Sequence, residues 1–397
     1  MSRSRQALEG VKVVDAGTLF AAPAVASYLS DFGADVLKIE HPRGDSTRRN
    51  GHTKDGVAFW WKYASRNKRA MTLNYSTPEG RDIFLEIAKG VDIIVENFRT
   101  GTFEKWGLGY EELSKENPGL ILVRVTGFGQ IGPMARRAGF GTLAEAMSGF
   151  AYSTGQPDGP PTLPPFGLAD SIAGIMGAFA SMVALRARDT TGRGQVVDLA
   201  IIEPMLHVLG PQIPVYDALG IVDGRPGNRS VHNAPRNTYL TKDGRWVAVS
   251  TSAQNIAERV ARLVGRSDLI GQPWFATGAG RVAHVEEVDG AVANWVSQRT
   301  ADEVIAQFEA AEAAASLVYS VADVMEDPQY RALGTIVRLP DSELGEVALP
   351  NVPFRMSDTP GELRWPGRPK SANTAEVLGN LGYSADEMDR LRERGVI

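Results

Sequence analysis

Short apolar runs alternate with longer amphipathic stretches along the first 125 or so residues, and that alternation leaves few architectures open. Val11-Lys12-Val13-Val14-Asp15 reads as a buried strand, Ala22 to Ser30 as a helix with one apolar face, and Val36-Leu37-Lys38-Ile39-Glu40 as the next strand. The pattern continues through a helix from Glu79 to Ala88 and strands at Asp92-Ile93-Ile94-Val95-Glu96 and Leu120-Ile121-Leu122-Val123-Arg124-Val125, separated by turns containing Gly and Asn. Strand, helix, strand in repeating order is met by a parallel sheet flanked by helices. The fold class expected is therefore α/β, with a large Rossmann-like domain.

The second half of the chain changes character. A dense turn region, Gly155-Gln156-Pro157-Asp158-Gly159-Pro160-Pro161, precedes two helical stretches, Ile172 to Arg188 and Asp198 to Leu209, broken at Gly192-Arg193-Gly194. Thr238-Tyr239-Leu240-Thr241 and Arg245-Trp246-Val247-Ala248-Val249 flank Lys242-Asp243-Gly244 as a β-hairpin. Helices rich in Ala and Glu follow at Gln254 to Val264 and Ala301 to Ala314, then strands at Gly334 to Arg338 and Gly345 to Leu349 and a short final helix near Thr374 to Leu378. The expected organisation is a large domain over 1–224, a smaller α/β domain over 225–325, and a segment, 326–397, that returns to the large one.

With 397 residues, 43% of them hydrophobic, the chain can bury a substantial core. A net charge of −5 leaves no global basic field for nucleic acid. The absence of cysteine removes thiolate nucleophiles and thiolate-ligated metals, so the chemistry must rest on oxygen or nitrogen groups. His41, His52, His207, His232 and His284 are too dispersed to form a local metal motif, and no metal is expected. Met1 to Arg5 leads into a strand with no apolar signal core, and nothing reaches about 18 uninterrupted apolar residues, so a cytoplasmic protein with no membrane partner is expected.

Gly127-Phe128-Gly129-Gln130-Ile131-Gly132 matches a dinucleotide fingerprint in letters only. Pro133 and Gly139 crowd the positions where a phosphate-binding helix would open, and the first βαβ unit carries Thr18-Leu19-Phe20-Ala21-Ala22-Pro23 where such glycines belong. These glycines are read as tight turns around a different ligand.

Asp170 stands between the turn Pro165-Phe166-Gly167 and an apolar helix starting near Ile172. An Asp in that place is either the helix N-cap or a carboxylate exposed at the helix start as a nucleophile. The local pattern leaves both open.

In their order along the chain, Gly33-Ala34-Asp35-Val36-Leu37-Lys38-Ile39-Glu40-His41-Pro42, Asn67-Lys68-Arg69, Val95-Glu96-Asn97-Phe98-Arg99-Thr100-Gly101, Gly127 to Pro133 and Gly192-Arg193-Gly194-Gln195 carry a wider resemblance. Over nearly its full length the chain resembles the class III CoA-transferase family, which also holds formyl-CoA transferase, carnitine-type CoA transferases and α-methylacyl-CoA racemase. The resemblance implies an intertwined homodimer and makes Asp170 the catalytic aspartate. In that family the carboxylate attacks an acyl-CoA thioester to give an aspartyl–acyl anhydride. CoA thiolate then attacks the aspartyl carbonyl, leaving an aspartyl–CoA thioester that an acceptor carboxylate discharges.

The partners implied are acyl-CoA, as substrate and not as a permanently bound cofactor, and a small carboxylic acid. Leu19 and Phe20 match the reactive end of the CoA site, and His41, Leu73, Asn97, Phe98, Thr102 and Lys105 its binding surface. Arg137, with Arg66, Lys68 and Arg69, is expected to add positive potential for the CoA phosphates. Three departures from the family pattern stand out. Ser76 replaces a lysine found toward CoA in some relatives, and Gly141 replaces an acidic residue common in others. Phe140 falls where the racemase branch has its histidine, and a phenyl ring cannot shuttle a proton. The consecutive glycine loop of formyl-CoA transferase-like relatives is missing, and Asn228, Arg229, Ser230, Asn233 and Arg236 are expected to face a polar acyl group instead; Arg229 and Arg236 would suit a distal carboxylate, or else stabilise a loop or a dimer contact. The chain looks most like the dicarboxylate-using branch. An acyl-CoA racemase or isomerase, and a CoA-binding protein without turnover, are the alternatives.

Overall fold

In the computed structural model, which describes residues 6–397, six parallel strands form one sheet. They are Lys12–Asp15 (β1), Asp35–Glu40 (β2), Lys68–Thr72 (β3), Ile93–Glu96 (β4), Ile121–Thr126 (β5) and Val196–Ala200 (β6), in the spatial order β3-β2-β1-β4-β5-β6. This is the doubly wound order, with the chain reversing direction across the sheet between β1 and β4. Alternate residues serve opposite faces, as strand geometry demands. Val14, Leu37, Ile39, Met71, Ile94 and Leu122 fill the core on one side. Val13, Val36, Ile93, Val95, Ile121 and Val123 fill it on the other.

Helix Ala21–Asp31 (α1) follows β1, and helix Pro78–Ala88 (α2) follows β3. The latter starts where Thr77 caps Gly80 N–H and Pro78 occupies the first turn. Gly141–Met147 (α3) and Leu168–Thr191 (α4) lie between β5 and β6. α4 packs against α1 through glycines: a Cβ on Gly174 would lie 2.6 Å from Ala24 Cβ, and one on Gly177 2.5 Å from Val25 Cγ2. It is long and apolar enough to cross a membrane by length and composition alone, but its buried face, Ala173, Gly174, Gly177, Ser181, Ala184 and Leu185, belongs to the protein core.

Among the described residues the first unit comprises 6–150, 164–210 and 328–397. Its final segment is strapped to the start of β3 by Asn67, a residue at φ 60°. Asn67 N–H donates to the Trp365 carbonyl (2.9 Å), its Nδ2 donates to the Glu362 carbonyl (2.8 Å), and its Oδ1 accepts from Arg364 N–H (2.7 Å). The second unit comprises 151–163 and 211–327. It holds an antiparallel sheet of Arg236–Leu240 (β7), Trp246–Ser250 (β8) and Ala315–Leu317 (β9), with β8 central and Leu240 opposite Trp246. Tyr239, Val247, Val249, Val292, Val304 and Phe308 form part of its core. Where the sequence suggested limits of 225 and 325, the second unit starts at Pro211, just past the left-handed turn at Gly210 (φ 74°), and gathers in the turn segment 151–163.

Two local expectations are corrected, and one strand is added. Asp198 lies in strand β6, beside Arg124 of β5, and not at the start of a helix; the helix there is only Ile202–His207. The motif Lys68-Arg69 opens a central-sheet strand that its charges had disguised. A helix at Ala385–Glu393, capped by Ser384, follows Thr374–Asn380.

Gly194 passes so close to β5 that an added Cβ would fall 1.8 Å from the Leu120 carbonyl oxygen. Backbone cannot retreat as a side chain can. Gly194→Ala is expected to cost roughly 2–4 kcal/mol, read as a fall of several degrees in the thermal midpoint of the purified protein.

Candidate active site

Ligands in doubly wound folds bind outside the carboxyl ends of the strands, where the strand order reverses. Here that crevice is built from the segments following β1, β2, β3 and β4. A cavity of about 340 Å³ is lined by Leu19 after β1, His41 after β2, Leu73 and Tyr75 after β3, and Phe98 after β4. A second cavity, of about 110 Å³, is lined by Phe20, Asn97, Arg99, Arg137, Phe140 and Asp170 among others, and shares Thr18, Leu19 and Phe98 with the first. The shared residues make the two cavities neighbouring compartments of one cleft.

The loop after β1 is held from several sides. Asn97 Oδ1 accepts Thr18 N–H and its Nδ2 donates to the Thr18 carbonyl, both at 2.8 Å, so one carboxamide ties the β1 loop to the end of β4. Gly17 N–H donates to Asp15 (3.1 Å), and Lys38 Nζ donates to the Gly17 carbonyl. Leu19 is then carried into the cleft at φ 61°, a conformation a leucine adopts only where its surroundings impose it. Asn97, expected as a ligand contact, has both ends of its carboxamide engaged in holding this loop.

Asp170 is the third residue of α4, with Gly167 as the N-cap, so it is neither the cap nor outside the helix. Among the described residues no hydrogen bond or ion pair supports its carboxylate. Burial raises its pKa first and the Glu145 carboxylate second, to about 6. Two glycines make room for it: a Cβ on Gly141 would lie 2.6 Å from Asp170 Oδ2 and 2.9 Å from Cγ, and one on Gly167 would lie 3.4 Å from Oδ2. The departure at Gly141 thus has a steric meaning, since any side chain there meets this carboxylate. Among the described residues lining the second cavity, Asp170 is the only acid and no histidine occurs. Phe140 stands on this wall, 59% exposed, where a racemase would need a base.

The remaining site residues separate. Leu19, His41, Leu73 and Phe98 line the larger cavity, and Leu19, Phe20, Asn97, Phe98 and Arg137 the smaller. Thr102 and Lys105 line neither; Gly101 (φ 87°) turns the short helix they occupy, and Trp106 behind it contributes to the wall. His41 accepts Arg43 N–H at Nδ1 (3.1 Å), and burial, helped by Arg43, lowers its pKa, so it faces the cavity as a neutral imidazole at pH 7. Asn74, Tyr75 and Trp106 were not singled out from the sequence, because each reads locally as turn or core.

The basic motif is overturned as a phosphate site. Arg66 is buried in a bidentate pair with Asp31, with Nη2 2.6 Å from Oδ2. Lys68 is buried between Asp15 (2.8 Å) and the Pro23 carbonyl (2.7 Å), and burial lowers its pKa to about 8. Arg69 pairs with Asp35 at 2.8 Å. These cations hold the scaffold. Exposed arginines nearer the cleft, Arg99 and Arg137, engage no carboxylate among the described residues, and Arg137 lies 6.0 Å from the Phe128 ring centroid.

In the second unit Arg229 is likewise spent locally, with Nε 2.9 Å from Asp289 and Nη2 3.0 Å from Glu286. Of the two readings offered for it, the local structural contact is the one seen, and not a free guanidinium for a distal carboxylate. Arg236 Nη1 donates to the carbonyls of Asn228 (3.2 Å) and Arg229 (3.1 Å), Asn228 donates to Thr238 (2.7 Å), Ser230 accepts His232 N–H (3.1 Å), and Asn233 accepts from Arg281 (2.7 Å).

The family profile described as CoA-transferase family III matches residues 8–374. A succinyl-CoA–D-citramalate CoA-transferase of Chloroflexus aurantiacus is 38% identical over 398 residues, spanning 100% of this chain and 99% of that protein. The beta subunit of a succinyl-CoA–L-malate CoA-transferase of the same organism is 40% identical over 396 residues, covering 98% of each. The crystal structure of a CAIB/BAIF family protein from Brucella suis superposes with a TM-score of 0.84 at 32% identity, over 95% of this chain and 100% of the other.

Because the atom crowded by a residue-141 Cβ is the tip of a side chain, Gly141→Ala is expected to fold with a thermal midpoint within a few degrees of the parent. The displacement should appear as a changed Asp170 rotamer in a crystal structure of the variant. A carboxylate that stays in place beside the added methyl would contradict the crowding described above.

Proposed function

The chain belongs to CoA-transferase family III, and from that membership we propose that it moves CoA between an acyl-CoA thioester and a free dicarboxylate through covalent states on Asp170. The observation carrying this reading is the unsupported carboxylate at the head of α4, facing a cavity that shares walls with the larger compartment. The succinyl group in the names of the relatives at 38% and 40% identity, and of a succinate–glutarate CoA-transferase at 32%, supports the dicarboxylate.

In the first step an Asp170 oxygen attacks the thioester carbonyl, the C–S bond breaks and CoA leaves as thiolate. The thiolate attacks the Asp170 carbonyl, the anhydride C–O bond breaks, and the first acid departs as carboxylate. An acceptor carboxylate reverses the two steps. The neutral Asp170 thioester and anhydride hold the free energy of the original thioester only while water is kept from them. Phe20 and Phe98 supply apolar wall on this side, and Arg99 and Arg137 supply charge for the anionic groups of CoA or of the acid.

We also propose that two copies pair. Along α4, Ile175, Phe179, Met182 and Val183 are 56, 64, 40 and 53% exposed, and their spacing gathers them on one side of the helix. An apolar stripe of this kind on a soluble chain marks an interface. Light scattering after size exclusion should give twice the chain mass of 42.8 kDa, and a monomer at micromolar concentration would refute the pairing.

Incubation with succinyl-CoA and hydroxylamine, followed by peptide mapping, should yield a hydroxamate at Asp170 that requires the acyl-CoA and is absent from Asp170→Ala. Modification elsewhere, or normal transfer by Asp170→Ala, would sink the mechanism. Since the nucleophile is the ionised form and its pKa is about 6, kcat/KM should climb tenfold per pH unit below that value and level off above it.

The stability sign is opposite to that of a salt-bridged acid. A raised carboxyl pKa means the folded state holds the proton more tightly, so this group disfavours folding progressively as pH rises from 3.8 toward 6, and fully above that. Asp170→Asn should therefore gain about 1–3 kcal/mol at pH 7.5 and almost nothing at pH 4, measured by denaturant titration at both.

A further inference from the structure

Glu145 has no part in the reaction as written above, yet it is the one acid brought to the base of the nucleophile. It lies on α3, is 2% exposed, and its Oε1 accepts the N–H of Ala169 at 3.1 Å. Ala169 immediately precedes Asp170 in the first turn of α4, where N–H groups have no partner within the helix. A carboxylate from a neighbouring helix thus fastens the turn that carries Asp170 and sets a second negative charge beside it.

We propose that Glu145 is a positioning residue that holds Asp170 in place while destabilising its charged state, and so drives Asp170 toward acylation. The inference rests on the proposed covalent route and deepens it. Each covalent state in that route removes the charge from Asp170. In the first step the negative charge passes to the sulfur of the departing CoA, and in the second it leaves with the released acid. Repulsion between Glu145 and Asp170 is present in the free enzyme and absent from the anhydride and the thioester. It therefore raises the ground state without raising the products of acylation, at a cost met by folding stability. A capping hydroxyl or amide at position 145 would hold the turn equally well and provide none of this.

The electrostatic surroundings leave Glu145 as the source. Arg99 and Arg137 line the same cavity. Arg124 of β5 is taken up by Glu96 and Glu104, and Asp198 of β6 accepts Gln130 N–H. Asp31, at the far end of α1, is paired with Arg66. Glu203 and His207, on the helix Ile202–His207 that packs on α3 and α4, are exposed. Of the carboxylates among these, Glu145 is the one whose repulsion raises the Asp170 pKa, in the same direction as burial.

Protonation and acylation neutralise the same group, so one repulsion governs both equilibria. This ties two measurements together. Glu145→Gln keeps an oxygen for the Ala169 N–H and removes the charge. In single-turnover reactions with succinyl-CoA, its acid limb should move to lower pH. The fraction of Asp170 trapped by hydroxylamine should fall about tenfold for each pH unit the limb moves. Glu145→Met, of similar volume and uncharged, should give the same coupled change if the amide does not fold. A role confined to structure would lower the amount of active enzyme without moving the limb. A limb at the parental pH with parental trapping would overturn the inference and leave Asp170 as the nucleophile. No Asp170 adduct in the parent protein would overturn the covalent route and this inference with it.

Discussion

The contact between α1 and α4 is the constraint on which the site depends. Gly174 and Gly177 bring α4 against Ala24 and Val25 at distances no other residue permits. α1 is tied through the β1 loop to the switch point, and α4 carries Asp170 as the third residue of its first turn. Helix separation therefore sets how far Asp170 stands from Phe20 and from the loop bridged by Asn97. A larger residue at either glycine would act as a lever on the active centre while lying away from its cavity walls. Close-packed interiors transmit such shifts and do not absorb them.

Charge is partitioned in a way the motifs conceal. Asp15 receives Lys38 and Lys68, Asp31 receives Arg66, and Glu40 receives Arg48, all largely withdrawn from water. Buried pairs of this kind contribute little net stability against an apolar replacement, but removing one partner is costly. Their return here is geometric: Lys38 and Lys68 hold the carbonyls of Gly17 and Pro23, on either side of Leu19 and Phe20. Asp170 is the counter-example, a largely buried carboxylate given no partner among the described residues. Among the described residues these buried cations each meet a carboxylate, whereas the Asp170 carboxylate meets no cation.

Much of this was legible in the sequence, for reasons specific to each element. The strands at β1, β2, β4 and β5 are short apolar runs of nearly unbroken burial, and such runs announce a parallel sheet. β3 was missed because it begins with Lys68-Arg69, and β6 because Asp198 interrupts it and its outer residues remain exposed at the sheet edge. The false fingerprint at Gly127 to Gly132 proved to be a loop, with the next helix opening only at Gly141. Asp170 could be singled out, but whether it capped the helix depended on where the first turn began, which is at Leu168 and not near Ile172 as the apolar pattern suggested. Arg229 illustrates the remaining gap. A sequence displays a guanidinium without displaying Glu286 and Asp289, 57 and 60 residues further on, that consume it.

α4 joins three demands in one helix. Its first turn presents Asp170, its glycine face locks onto α1, and its apolar stripe from Ile175 to Val183 remains uncovered. A helix buried on one side only can bend away from the sheet, and any bend would be felt at its head, where Asp170 lies against Gly141 and the Glu145 carboxylate ties the Ala169 N–H to α3. Covering the stripe in the proposed pair would brace the middle of the helix. On this view pairing serves the chemistry as well as solubility. A charge-neutral substitution that weakens the pair, such as Phe179→Ala, should lower the rate of Asp170 acylation upon dilution while leaving concentrated enzyme near the parental rate.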